Sequence, residues 1–274
     1  MKKLLLIIAT AFALLPLAPT TGQAQCSSEN SAFQSGETLM YDLYFNWKFV
    51  WVKVGTASMN ITRTVYDGKP AYRTYLITRG SNKADKFFVM RDTLTSYVDF
   101  DLIPRYYKKR AHEGKNYYRD DVWYSYPGGQ CAVRMTHQRN GNDVRRSEHK
   151  SKYCAYDMLS MLLRARSFDP SKFKTGHRIA FLMADGKNCE WQSIVYRGKK
   201  KFKMENSNTS YRCLVFSFME QEKGKKEKEI VTFWVTDDKN HLPVRLDMNL
   251  NFGTAKAFLT GARGLRNPQA AKLK

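Results

Sequence analysis

Apolar positions along this chain follow a two-residue period far more often than a helical one. Leu242, Val244, Leu246, Met248, Leu250 and Phe252 alternate with Pro243, Arg245, Asp247, Asn249 and Asn251. Successive side chains of a strand point to opposite faces, so this segment predicts a strand with one buried and one wet face. Residues 38–64 are denser, and "YDLYFNWKFVWVKVG" crowds Tyr41, Tyr44, Phe45, Trp47, Phe49 and Trp51 together. As one strand that stretch would run roughly 90 Å at ~3.3 Å per residue, far beyond ordinary strands. It must break, and Asn46-Trp47-Lys48 is the predicted place. Val50, Val52 and Val54 on one face, with Trp51 and Ala57 on the other, predict that the second piece is covered on both sides.

Turn sequences recur between the β-branched and aromatic runs: Asp67-Gly68-Lys69-Pro70, Glu113-Gly114-Lys115, Pro127-Gly128-Gly129, Asn140-Gly141-Asn142, Asp185-Gly186-Lys187 and Asp237-Asp238-Lys239-Asn240. That spacing predicts an antiparallel meander. One helix is predicted near residues 155–167, with Met158, Met161, Leu162 and Ala165 as its apolar stripe. Asp157 suits its positive end, Arg164 and Arg166 its negative end, and Asp169-Pro170 stops it. A short helical turn is expected between Asn82 and Phe88. The expected fold is therefore mainly β: a curved antiparallel meander, an open barrel or half-barrel similar to lipoprotein carriers, with one helix against it dividing two halves.

The first residues are organised differently. Lys2 and Lys3 precede an apolar run from Leu4 to Leu17 and a small-residue stretch ending Gly22-Gln23-Ala24, the pattern of a secretory signal peptide over residues 1–24, cut between Ala24 and Gln25. Lipidation of Cys26 would leave the bulky Gln25 before the cut. No later stretch approaches the roughly 18 consecutive apolar residues of a spanning helix, so no transmembrane span is expected in the mature chain. Residues 25–35 then form an N-terminal segment, 36–262 the β domain and 263–274 a basic tail.

Export changes how charge and cysteines read. The net charge of +21 favours anionic partners, and outside the cell those are lipid, anionic glycan or outer-membrane protein rather than nucleic acid. Five cysteines in an oxidising compartment permit disulfides. Cys131–Cys154 and Cys189–Cys213 are the expected pairs, leaving Cys26 free.

Templates for chemistry mostly fail. His112, His137, His149, His177 and His241 are scattered, without metal-ligand spacing, and no metal or cofactor is expected. Asp120-Asp121 and Asp237-Asp238 could be acid/base pairs, but neighbours on a strand face opposite ways. With Gly114-Lys115 as a hairpin loop, Lys109 falls opposite Asp120 and Lys108 opposite Asp121, a charge pairing without catalysis. Interleaved rings and cations in Arg105-Tyr106-Tyr107-Lys108-Lys109-Arg110 are the better candidate. The expected binding set is Trp47, Trp51, Arg105, Tyr107, Lys108 and Arg110.

The segments "GETLMYDLYFNW", "VGTASM", "DGKPAYR", "DTLTSYVD", "PRYYKKRAHEGKNYYRDD" and "FWVTDDKNHLPVRLDMNLNFGTAKAFL" resemble the exported bacterial family called domain of unknown function 3108 (DUF3108). The composition and signal are similar to those of members from Bacteroides-like bacteria. The resemblance implies a periplasmic β-rich protein and supplies no catalytic residues. It marks Gly36-Glu37, Gly55, Asp67-Gly68, Asp237-Asp238 and Leu242-Pro243 as turn and close-packing positions.

The expected function is non-catalytic binding of an amphipathic or anionic envelope component, in the periplasm or at the outer-membrane periphery of a Gram-negative bacterium. A structural or assembly partner of an outer-membrane protein comes second, and a hydrolase third. Intact-mass analysis of the native protein is expected to show an unmodified N-terminal Gln25; a diacylglyceryl group on Cys26 would contradict this reading.

Overall fold

In the computed structural model the alternating segments form sixteen strands of one sheet among the described residues, which are 26–47, 50–204, 209–221, 224, 226–250 and 253–273. The predicted signal segment and its cut at Ala24 and Gln25 lie outside them, as do Phe49, Phe252 and the Trp47 side chain. The first half holds β1 (Thr38–Trp47), β2 (Val50–Tyr66), β3 (Lys69–Gly80), β4 (Met90–Val98), β5 (Pro104–Glu113), β6 (Asn116–Ser125), β7 (Cys131–Arg139) and β8 (Arg145–Ser151). Then come β9 (Ala155–Tyr156) and the helix α1 (Met158–Arg166). The second half holds β10 (Arg178–Ala184), β11 (Cys189–Lys203), β12 (Ser210–Glu220), β13 (Lys228–Thr236), β14 (Pro243–Leu250), β15 (Gly253–Arg263) and β16 (Lys272–Leu273).

Spatial order follows the meander: β8 through β1 in reverse, then β15 through β9, with β16 beside β12. Pairing is antiparallel except where β9 lies parallel to β10. The aromatic stretch is divided between β1 and β2 as expected, but the break falls between Trp47 and Val50, and Asn46 and Trp47 of the predicted turn stay in the ladder opposite Trp51 and Val50. Register shifts at Met40/Tyr41, Leu43/Tyr44, Tyr97/Val98 and Tyr196/Gly198 bend the strands. Gly55 permits one close approach: a Cβ there would sit 2.3 Å from the Arg79 carbonyl oxygen of β3.

Curvature brings the two ends of the sheet to a shared core. Leu94, Tyr107, Val122 and Met135 of β4–β7 cluster with Ala155, Leu159 and Leu182 from the far end. Leu39, Tyr41, Met59 and Ile61 cluster with Leu163 of α1. The helix thus lies against the inner face with a core on each side, and this shifts its buried stripe. Leu159, Met161, Leu163 and Arg166 are buried, whereas Met158, which sequence periodicity placed inside, is exposed. The predicted start is sound: Asp157 accepts from the Leu159 and Ser160 amides, and its Oδ2 accepts from Ser96 Oγ at 2.9 Å.

Arg166 ends the helix inside the protein. Its Nη1 and Nη2 meet Glu37 Oε1 and Oε2 at 2.5 and 3.0 Å, and Nε and Nη2 donate to the Asn240 carbonyl at 3.1 and 3.0 Å. Phe33 lies beneath the guanidinium at 5.7 Å. Glu37, whose amide closes the turn from Gln34 at 3.3 Å, is thus also a buried charge partner.

The cysteine pairing differs from expectation. Cys26 bonds Cys154 with Cα atoms 5.5 Å apart, and Cys131, Cys189 and Cys213 are free thiols. The N-terminal segment is tied down: Arg164 Nη1 donates to the Cys26 carbonyl at 2.7 Å, and Phe33 is buried. Cys26 is thereby held beside the start of α1. Cys189–Cys213 fails on distance, because Cys213 pairs opposite Lys200, roughly 35 Å along β11 from Cys189 at ~3.3 Å per residue. Burial pushes the Cys189 and Cys213 thiols up to about 12 and raises Cys131, which leaves all three protonated and inert at neutral pH.

Arg166→Ala is expected to cost about 3–5 kcal/mol in urea denaturation, since it strands a buried carboxylate. The pair Glu37→Leu/Arg166→Met should lose much less. Cys26→Ser removes a closure across 128 residues, worth up to about 5 kcal/mol in the chain-entropy model; an unchanged denaturation midpoint would show that the bond is not formed.

Candidate binding face

Register in β3–β7 stacks side chains into rows across the outer face, away from α1. One row reads Arg73, Tyr97, Tyr106, Trp123 and Arg134. The next reads Tyr75, Thr95, Lys108, Asp121 and Thr136, and the third Ile77, Thr93, Arg110, Arg119 and Gln138. A fourth carries Arg79, Arg91, His112 and Tyr117. Strand alternation alone puts so many cations on one side. Among the described residues of these rows the only carboxylate is Asp121.

Asp121 is already engaged. Both its oxygens accept from Arg110 Nη2 at 2.9 Å, and Oδ1 also accepts from the Tyr106 hydroxyl. Burial, and then that bond, push the Tyr106 phenol well above its ordinary value. Tyr106 stacks on Tyr66 at 5.8 Å and lies 5.6 Å from Trp123, whose ring carries Arg134 at 5.2 Å. A cleft of about 790 Å³ opens over Arg91, Arg110, His112, Lys115, Tyr117 and Arg119, with no carboxylate in its lining. His112 stacks on Tyr117 with centroids 3.9 Å apart. Lys115 and Arg119 form no ion pair among the described residues. A second cleft of about 620 Å³ lies over Tyr66, Arg105, Trp123, Arg134 and Lys150 and also holds Asp67, Asp99 and Glu148.

The residues singled out from sequence fall in different places. Arg110 lines the larger cleft and Lys108 stands one row away. Arg105 lies in the smaller one, held by Asp99 at 2.6 Å and placed over Tyr126. Tyr107 is 4% exposed and belongs to the inner core, because alternation turns it away from Tyr106 and Lys108; it is not on the binding face. Trp51 is on β2, with Lys256 Nζ 4.0 Å above its ring, three strands from Arg110. The Trp47 side chain is outside the described residues. Arg91, His112, Tyr117 and Arg119 were missed, although alternation in "NYYRDDVWYS" of β6 already aligns Tyr117, Arg119, Asp121 and Trp123.

The inner face of the same strands carries a polar cluster. Lys109 is opposite Asp120, and Lys108 opposite Asp121, as predicted, yet the ion pairs form with other partners: Lys109 with Glu113 along β5 at 2.6 Å, Asp120 straight across with His137 of β7 at 2.6 Å, and, on the outer face, Asp121 diagonally with Arg110. The loop at Gly186 seals this cluster, since a Cβ there would lie 2.5 Å from Asp120 Cβ. The Asp120–His137 pair is thus covered on the side of the β10–β11 connection. Among the described residues no group of three or more His, Cys, Asp or Glu could hold a metal ion. The second carboxylate pair is structural too: Asp238 accepts from Thr236 Oγ1 and from the Asn240 and Ala271 amides, and Asp237 pairs with Lys199 at 2.9 Å.

Burial, and then the nearby Glu113, raise Asp92 to about 6. A carboxyl raised in the fold favours the protonated form, so its stabilising contribution is present below about pH 4 and lost as pH rises through about 6. Asp92→Asn is expected to stabilise the protein by about 1–2 kcal/mol near pH 7.5 and by much less near pH 4.5. Denaturation midpoints at both pH values check this, and equal shifts would refute it.

The fold has relatives among solved structures. A β-barrel-like protein of the domain of unknown function DUF1849 from Brucella abortus superposes with a TM-score of 0.52 at 12% identity, covering 84% of this chain and 98% of that one. A candidate exported protein with a YmcC-like fold from Bacteroides fragilis gives 0.39 at 7% identity, over 86% and 99% of the two chains. A candidate lipoprotein from Parabacteroides distasonis gives 0.33 at 10% identity, over 86% and 99%. At these identities the likeness concerns fold alone. No curated protein matches the chain. One family model, described as "Protein of unknown function (DUF3108)", matches residues 40–260.

Proposed function

This chain belongs to the DUF3108 family, whose description carries no activity, and we propose from the site that it is a non-catalytic envelope protein that binds an anionic component on the outer face of β3–β7. The observation that carries this reading is the set of rows in which Arg73, Arg79, Lys108, Arg110, Arg119 and Arg134, together with an Arg91 already paired with Asp85, stand with Tyr97, Tyr106, Tyr117 and Trp123 against Asp121. Such a surface attracts polyanions at long range, and its rings offer flat apolar faces at contact. Export, expected from the leader, puts anionic glycans and headgroups within its reach.

The proposed ligand surface is the outer face and not the concave inner one. Core side chains and α1 occupy the inner face beside Tyr41, which is itself buried in that core. A second reading, as an assembly partner, draws on β8, which ends the strand order. An open edge can accept a strand from another chain, although Arg145, Arg146 and Lys150 blunt it.

The outer-face reading is tested with an acidic polysaccharide, polygalacturonate, against neutral dextran. Wild type is expected to bind the acidic polymer, with affinity falling as salt is added. Arg110→Glu/Arg119→Glu should weaken it about tenfold or more, as two cations become anions. Equal binding by the variant would sink the proposal.

A further inference from the structure

Two hairpins carry their inner apolar alternation past the point where the core ends. On β2, Ile61, Met59 and Ala57 are buried, and beyond the irregularity at Leu43/Tyr44 the same face continues with Val52 and Val50, 45% and 61% exposed. On the second hairpin, Leu242 and Val244 are buried, Leu246 and Met248 half-buried, and Leu250 exposed. Register places both runs at one end of the sheet: Val52 opposes Phe45, Phe45 opposes Ala255, and Leu250 opposes Gly253. Pairing of β2 with β3 begins only at Gly55. The first five residues of β2 therefore project about 16 Å beyond β3 at ~3.3 Å per residue.

The β3–β4 connection reaches the same end. It leaves β3 with the Ser81 amide donating to the Val54 carbonyl at 2.7 Å. Phe87 on it is 78% exposed, and Phe88 beside it is also exposed. Lys83, Lys86 and Lys115 are exposed around these rings and form no ion pair among the described residues. At the opposite end Val65, Phe100 and Tyr153 are exposed; Phe100 is covered in part by Tyr72 and Arg63, and Tyr153 by Trp191 and Lys152. An apolar tip ringed by lysines costs solubility in water and gains at a boundary between headgroups and acyl chains.

We infer that this end of the barrel docks on the surface of an anionic lipid bilayer. Val50, Val52, Phe87 and Leu250 enter the interfacial layer, and Lys83, Lys86 and Lys115 meet the headgroups. Apart from Lys115, which also lines the larger outer-face cleft, the attachment uses residues distinct from the outer-face cations that the polysaccharide reading depends on. It orients the strands across the boundary and leaves the outer face of β3–β7 standing above the membrane plane.

Flotation of the mature full chain with vesicles of phosphatidylglycerol in phosphatidylcholine, against phosphatidylcholine alone, tests the inference. Wild type is expected to float with the anionic vesicles. Val50→Ser/Phe87→Ser should lose about tenfold or more in partitioning, because two apolar insertions are removed. Lys83→Glu/Lys86→Glu should lose the preference for phosphatidylglycerol. These positions are exposed, so thermal melts are expected to stay at the wild-type value; Phe87→Ala is a milder second variant. Failure of wild type to float, or equal flotation of Val50→Ser/Phe87→Ser and wild type, overturns the docking inference. Polygalacturonate binding by the same preparations tells that failure apart from a failure of the outer-face reading.

Discussion

The buried pair of Arg166 and Glu37 is the constraint on which the architecture turns. Two charges with almost no exposure are tolerable only when each is fully hydrogen-bonded, and here the guanidinium is divided between a carboxylate and the Asn240 carbonyl. The partners come from the end of α1, the start of β1 and the turn between β13 and β14. Asn240 in turn donates to the Asn267 and Pro268 carbonyls, and His241 Nδ1 lies 2.6 Å from the Arg166 carbonyl. A sheet this long needs some device to fix how far it curls. One fork of hydrogen bonds joins the middle of the chain to both its beginning and its end.

Much of this fold was legible because strands write their period into the sequence. The break after Trp47, the hairpin at Gly114-Lys115 and the cap at Asp157 all follow from local chemistry. What could not be read depends on contacts far apart in the chain. The helix stripe was misplaced because α1 has core on two sides, and a single amphipathic face assumes one. The disulfide was misassigned because Cys26 was left out of the pairing, whereas Phe33 and Arg164 hold its segment in place. Glu37 was placed at a turn and in close packing, but its charge partner went unread, since nothing adjacent announces a guanidinium 129 residues away.

The binding face shows the same division. Arg110 and Lys108 were visible in an interleaved run, and the register of β5 with β6 was predicted correctly. Carrying that register to Arg119 and Tyr117, and across to Arg91 and His112, required only the parity rule. Tyr107 was included by ignoring it. Local composition identified the right strand, and pleat geometry selects which of its residues a ligand can touch. The inner face of the same strands shows the converse: Asp120 is held by His137 and Glu113 by Lys109, and the Gly186 loop packs on Asp120.

The link between Cys26 and Cys154 has a consequence for biogenesis. A chain emerging from its N-terminus presents Cys131 to Cys26 before Cys154 has appeared, so pairing in order of arrival gives the wrong bond. Correct oxidation has to wait for the helix start to be delivered, or has to pass through exchange of a mispaired bond. Once the sheet has closed, Cys131 is buried and protonated, and that route back is shut. Proofreading of the covalent link is thus confined to the interval before the core forms, which makes the maturation of this protein dependent on how quickly its oxidation partners act relative to its own folding.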